Sequence, residues 1–253
     1  MSEIEKTNAM LDKRSSRRTF IKNSGLTVGG VVLGGALGSV LFKDENSTTE
    51  TKDHNVSVAA NPNVALMFFT PSEYQLTQAA VERIYPADDN GPGAKDLNAA
   101  IYIDHQLAGH YGMNTKDYRL GNFYTPEATQ GGQTKMLNKD LFLFGLNELN
   151  NYSEQNFQTT FNKLEAADQD AVLADFSEGK TKFSGVSSSE FFNLLRKLTL
   201  EGVYADPMYG GNKDMQGWAM RKYPGSRMSY VQEIQSKTFV KLEPQGLNSH
   251  MGH

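Results

Sequence analysis

The residues best suited to chemistry cluster late in the chain. Glu201, Asp206 and Asp214 flank the turn Gly210-Gly211-Asn212. Two carboxylates at a controlled separation, one with a raised pKa, are what a glycosidase-type acid/base pair requires. The Gly-Gly-Asn turn can present successive backbone N–H groups to an anion. It can equally form a tight bend that positions Tyr209 and Trp218. Asp88 and Asp89 precede Asn90, where side-chain-to-backbone bonding within a turn is the alternative use for a carboxylate. His105 and His110 are five apart with Gly109 between them, a spacing that places them on diverging faces of a helix rather than on one metal ion. The pair His250 and His253 belongs to a frayed end, and His54 to a polar stretch. The chain contains no G-x-S-x-G elbow, no phosphate-binding P-loop, no H-E-x-x-H and no G-x-G-x-x-G following a strand.

A second feature lies near the N-terminus. The run Ser16-Arg17-Arg18-Thr19-Phe20-Ile21-Lys22 closely resembles a twin-arginine export signal. Within residues 1–22, Lys6, Lys13, Arg14, Arg17, Arg18 and Lys22 outweigh Glu3, Glu5 and Asp12, and residues 23–42 then carry no ionisable side chain. That is the layout of a signal peptide, with six glycines that argue against a stable membrane anchor. Residues 43–60 read as a flexible acidic linker ending in the small-residue pattern Val58-Ala59-Ala60. The expected location is the periplasm, and the expected folded domain spans 61–253.

Composition narrows the possibilities further. The chain has 253 residues, 38% hydrophobic and 10% aromatic, with 25 basic and 29 acidic side chains. It can build one substantial core. The absence of cysteine excludes disulfides, thiolate-bound zinc or iron–sulfur clusters, covalent c-type haem and a cysteine nucleophile. A net charge of −4 offers no basic footprint for nucleic acid.

Helices must position whatever chemistry there is. Thr70-Pro71-Ser72-Glu73 is a capping box with proline at the first helical position, and Leu76, Ala80 and Ile84 continue it until Pro86. Further helices are predicted over 94–108, 135–150, 154–164 and 167–178. Another opens at Ser187-Ser188-Ser189-Glu190 and runs through Phe191, Leu194, Leu195 and Leu198. No strand is predicted. Residues 111–132 lack periodicity, a length of irregular chain usually kept for function or an interface. Residues 202–253 are also irregular yet hold Trp218, the one tryptophan, with Tyr204, Tyr209, Tyr223, Tyr230 and Phe239. They must drape over the helices or over another protein. The fold class is therefore mainly α, with long irregular connections and a loop-rich C-terminal segment.

Two blocks carry a family resemblance. Thr199 to Trp218 (TLEGVYADPMYGGNKDMQGW) followed by Tyr223-Pro224-Gly225 resembles the signature of the gluconate 2-dehydrogenase small (gamma) subunit family. Thr70-Pro71-x-Glu73-Tyr74, Arg83 to Asp89, Gly91-Pro92-Gly93-Ala94, Ile103-Asp104 and Leu107-Ala108-Gly109 are similar to its first helices. The resemblance implies a non-catalytic subunit without a cofactor of its own. Its partner would be a large FAD-dependent dehydrogenase subunit of the glucose–methanol–choline type, often joined by a membrane-bound multihaem cytochrome c. The twin-arginine signal would then export the folded flavoprotein as a passenger through the Tat translocase. Some relatives link to the large subunit through cysteine; this chain has none, so its association is expected to be non-covalent.

The residues expected to face the partner are Asp206, Pro207, Tyr209, Gly210, Gly211, Asn212, Asp214 and Trp218, with Asp88, Gly91 and Pro92 second. The competing reading makes both clusters an internal brace. Two other function classes stay open: an independent exported enzyme using the acidic residues near 201–214, and a periplasmic binding or structural protein.

Overall fold

Helix α1 (Pro71–Ile84) starts where the sequence places it. Thr70 accepts from the Glu73 N–H while the Glu73 carboxylate accepts from the Thr70 N–H at 2.8 Å, the complete capping box. The computed structural model describes residues 64–124, 127–130, 134–181 and 185–251. The expected signal segment 1–42 and linker 43–60 lie outside them.

The remaining helices are α2 (Ala99–Ala108), α3 (Asn138–Phe157), α4 (Ala166–Ser177), α5 (Ser188–Tyr204) and the short α6 (Gln216–Met220) and α7 (Val231–Ile234). Among the described residues there is no strand, only the isolated bridges Asp88–Gly91 and Gly225–Gln245. The protein is mainly α, as the sequence predicts.

Helix α5 is the central element. It buries Phe191, Leu194, Leu195, Leu198, Thr199, Gly202 and Val203, a stripe at three- and four-residue spacing. Its most extensive partner is α2, and α1, α3 and α4 also pack on it. Close approach depends on absent side chains. A Cβ on Gly202 would stand 3.0 Å from the Ala99 Cα, and one on Gly145 of α3 would overlap the Phe191 ring. Around these contacts Phe69, Phe142, Phe161, Phe176 and Phe191 form an aromatic core with Leu97, Ile103, Leu107, Leu146 and Leu149.

Three predicted elements differ. The helix expected over 94–108 begins only at Ala99, because Asn98 takes the left-handed conformation (φ 58°) and residues 94–97 form a turn closed by Leu97 N–H donating to Gly93. The helix expected over 154–164 does not exist as a separate unit. Helix α3 runs unbroken through Phe157, and Gln158 (φ 60°) ends it. Phe161 then sits in a 3-10 turn, its N–H donating to Asn150 Oδ1 and its carbonyl accepting from Gln169. The side-chain spacing of 157, 161 and 164 imitates a helix, but the backbone groups are satisfied by other elements. At α5, Ser187 caps the Ser189 N–H alone.

The irregular connection after α2 is pinned at both ends. Asn114 accepts from the Asn138 N–H, Asn138 donates to the Tyr111 carbonyl, and Arg119 Nη2 donates to the carbonyls of Thr134, Lys135 and Met136. It borders an open groove of about 1230 Å³ with Asp117, Glu190 and Lys197 on its walls.

Candidate functional site

The two sequence blocks meet at the C-terminal end of α5. Asp206 follows that helix and caps the 3-10 turn Pro207–Tyr209 by accepting from the Met208 N–H at 3.0 Å. Its second oxygen accepts from the Leu247 N–H at 2.8 Å, so one carboxylate fixes both the turn and the returning chain end. Gly210 supplies the left-handed φ of 96° that closes the turn.

Asn212 organises the next bend. It is fully buried and left-handed (φ 45°), with its N–H donating to the Gly202 carbonyl at 2.8 Å. Its amide donates to Ala205 O and accepts from the Gly217 N–H, both at 2.8 Å. Any side chain at Gly211 would collide with the Gly202 carbonyl. Asp214 (φ 55°) and Met215 (φ 58°) complete a strained corner from which α6 departs. Helix α6 then carries Trp218, 6% exposed, whose indole N–H donates to the Tyr204 carbonyl at 2.7 Å while Tyr223 packs edge-on at 5.4 Å.

The early block closes this knot from the other side. Gly91 lies directly against the Met220 side chain, the Lys213 N–H donates to Leu97 O, and the hydroxyls of Tyr85 and Tyr204 are 3.2 Å apart. Burial and the Tyr204 hydroxyl push the Tyr85 phenol up to about 12. Of the residues expected to face a partner, Tyr209, Asp214 and Asp88 are exposed. Asp206, Pro207, Gly91 and Pro92 are half-buried, and Gly210, Gly211, Asn212 and Trp218 are buried within this chain.

Of the carboxylates considered for acid/base work, Glu201 and Asp206 serve structural contacts, and Asp214 is exposed. Glu201 receives the Tyr102 hydroxyl at 3.4 Å and lies 3.9 Å from Lys197. Burial, then the Glu201 charge, raises the Tyr102 phenol. Asp88 accepts from the backbone and side-chain nitrogens of Asn90 at 2.8 and 2.9 Å, and these bonds hold it below the usual carboxylate range. Asp88 is thus a turn former.

His105 Nε2 bonds the Ala65 carbonyl at 2.9 Å, while His110 is exposed beyond the end of α2. The tail is docked rather than frayed at His250, whose Nε2 meets the Ser226 carbonyl at 2.9 Å; His253 lies outside the described residues. Among the described residues, no group of three His, Asp or Glu side chains is placed to hold a metal ion.

Sequence reasoning missed one polar centre. Asp104 is fully buried in α2 and accepts three consecutive backbone N–H groups, from Met67 at 2.6 Å, Phe68 at 3.0 Å and Phe69 at 2.7 Å. The available signal was a carboxylate between Ile103 and Leu107 on an otherwise apolar face.

The polar side chains of this helical body brace its own loops. The family profile described as gluconate 2-dehydrogenase subunit 3 matches residues 71–225, and the chain belongs to that family. Membership implies a multisubunit assembly that includes a dehydrogenase. Searches of curated proteins and of solved structures find no match.

Proposed function

We propose that this chain is the non-catalytic small subunit of a periplasmic, membrane-associated flavoprotein dehydrogenase that oxidises a sugar, sugar acid or alcohol. It binds and stabilises the FAD-carrying subunit of the glucose–methanol–choline type and escorts it through the Tat pathway on its own twin-arginine signal. A membrane-bound multihaem cytochrome c is the expected electron acceptor. The observation that carries this reading is the family match over residues 71–225. The carboxylates add support. Both oxygens of Asp206 are occupied by backbone N–H groups, and Glu201 is engaged by Tyr102 and Lys197, so two of the three carboxylates considered near 201–214 already serve structural contacts.

The test is purification of the full chain from its native envelope under mild detergent. The expected result is a co-purifying larger protein with flavin absorbance, lost from the envelope when Arg17 and Arg18 are both changed to Lys. A colourless, solitary, exported chain refutes the reading and returns attention to the acidic residues.

A further inference from the structure

The turn after α1 holds a chemically labile pair. Asn90-Gly91 is the one Asn-Gly pair in the chain. In such a pair the main-chain nitrogen of the glycine can attack the side-chain carbonyl carbon of the asparagine, because the second residue has no side chain to stand in the way. The new N–Cγ bond closes a cyclic imide, and the amide nitrogen leaves as ammonia. Water then opens the imide at either carbonyl, giving aspartate or, with the main chain rerouted through the side chain, isoaspartate. Amide plus water becomes carboxylate plus ammonia, and no oxidant or cofactor is needed.

The fold fixes glycine at the second position. Gly91 takes φ 155°, backbone that other residues rarely adopt. A Cβ there would overlap the Met220 sulfur, the contact that ties this turn to α6. A larger residue after Asn90, the simple way to slow the attack, is thus closed to this chain. Asn90 itself is exposed, so water reaches its amide. Protection has to come from another neighbour.

That neighbour is Asp88. Its Oδ2 accepts from Asn90 Nδ2 at 2.9 Å, and its Oδ1 accepts from the Asn90 N–H at 2.8 Å. Its main-chain carbonyl accepts from the Gly91 N–H at 3.1 Å, and the Asp88 N–H donates back to Gly91 O at 3.1 Å. Both reacting groups are therefore held by one residue. The nitrogen that must attack keeps its proton in a hydrogen bond, and the amide that must depart is tethered to a carboxylate. The bonds to Asn90 hold the Asp88 carboxyl below its usual range, so it stays ionised in neutral and alkaline solution, where a main-chain N–H loses its proton most readily.

We infer that Asn90-Gly91 is a modification site, a deamidation-prone pair that Asp88 keeps closed in the folded chain and that reacts when this turn opens. The inference is independent of the subunit reading above. Its product has a definite effect on the fold. Aspartate or isoaspartate at position 90 sets a second carboxylate against Asp88, where an amide had donated. Isoaspartate also adds a methylene to the main chain immediately before Gly91, which rests on Met220. Modification therefore loosens the contact between this turn and α6.

The test incubates the purified full chain in mildly alkaline buffer and follows Asn90 by peptide mapping, which separates amide, aspartate and isoaspartate. Native wild type is compared with wild type in urea and with two native variants. Asp88→Ser retains a short acceptor for the Asn90 N–H but cannot hold Nδ2. Asp89→Ser removes a neighbouring exposed charge of the same sign and leaves the bonds of Asp88 in place. Release of a hydrogen bond to a charged group predicts deamidation roughly tenfold or more faster in urea and in Asp88→Ser than in native wild type, with Asp89→Ser unchanged. Exposed Asn248, followed by Ser249, is the internal reference and is expected to react equally in all three native chains. Equal Asn90 rates in native buffer and in urea overturn the inference, as does a wild-type rate in Asp88→Ser or equal acceleration in both variants. Should Asp88→Ser fold poorly, shown by a rise at Asn248, hydrogen exchange on the wild type decides: the Gly91 N–H must be protected, and free exchange there overturns the inference.

Discussion

Replacing Asp104 tests whether a single buried carboxylate holds the start of the folded body. Its Oδ1 accepts from Phe68 and Phe69, and its Oδ2 accepts from Met67. Asp104→Asn preserves shape and one carbonyl oxygen, so the two Phe N–H bonds can persist. The new amide nitrogen then faces the Met67 N–H, donor against donor at a separation of 2.6 Å in the wild type. A hydrogen bond to a charged group contributes about 1.5–3 kcal/mol, so the loss of one predicts about 2 kcal/mol for Asn. Asp104→Ala orphans all three donors, of which the Phe69 N–H is fully buried, and is expected to cost about 4–5 kcal/mol. For a domain of this size that corresponds to a melting-temperature drop of roughly 10 °C or more for Ala and about half that for Asn. Urea and thermal unfolding followed by circular dichroism supply the values. Unfolding free energies of both variants within about 0.5 kcal/mol of wild type would refute the reasoning.

Gly145→Ala sets two effects against each other: alanine favours a helix interior by about 1 kcal/mol, but here its Cβ overlaps the Phe191 ring. Overpacking of about 1–3 kcal/mol is expected to win, with a net loss of stability in urea. Trp218→Ala removes a buried indole and its bond to Tyr204. About 3–5 kcal/mol of destabilisation in the isolated subunit is expected, and an unchanged melt with lost association would make Trp218 an interface residue instead of a brace. Thr70→Ala breaks the capping box of α1 and should cost about 1 kcal/mol in the same melts. Neutral Tyr85, raised from 10.0 to about 12, stabilises the fold fully below the unfolded value and loses that contribution as pH rises towards the folded one. Urea midpoints should therefore fall between about pH 10 and 12, less steeply in Tyr85→Phe.

Local signals made α1, α4 and most of α5 legible: a complete capping box, recurrent Val172, Leu173 and Phe176, and the stripe from Phe191 to Leu198, although the helix runs on through Tyr204 into the stretch expected to be irregular. The start of α2 and the end of α3 were not legible. They depend on Asn98 and Gln158 entering left-handed backbone, which their residue types permit but do not announce. The 199–218 run and the 83–94 block stood out in the sequence, and the structure places them in contact. The sequence could not show that Asp206 bonds Leu247, 41 residues onward, or that Asp104 serves residues 35 to 37 positions earlier. Those pairings are created by tertiary approach and leave no periodic trace. The exposed residues between 228 and 240 show in the sequence only as apolar residues in an irregular stretch; their exposure depends on the closure of Ser226 onto Gln245.

Asp104 also decides how the protein responds to a pull. The described chain enters the folded body just before α1, where three adjacent N–H groups converge on one carboxylate in the centre of α2. Tension entering from the N-terminal side is thus met by these three bonds, and by the bond of His105 to the Ala65 carbonyl, before α1 can be peeled away. The load passes into α2, which packs most extensively on α5, instead of unravelling the chain turn by turn. A pull on this side of the fold therefore meets the packed interior before it can unravel α1.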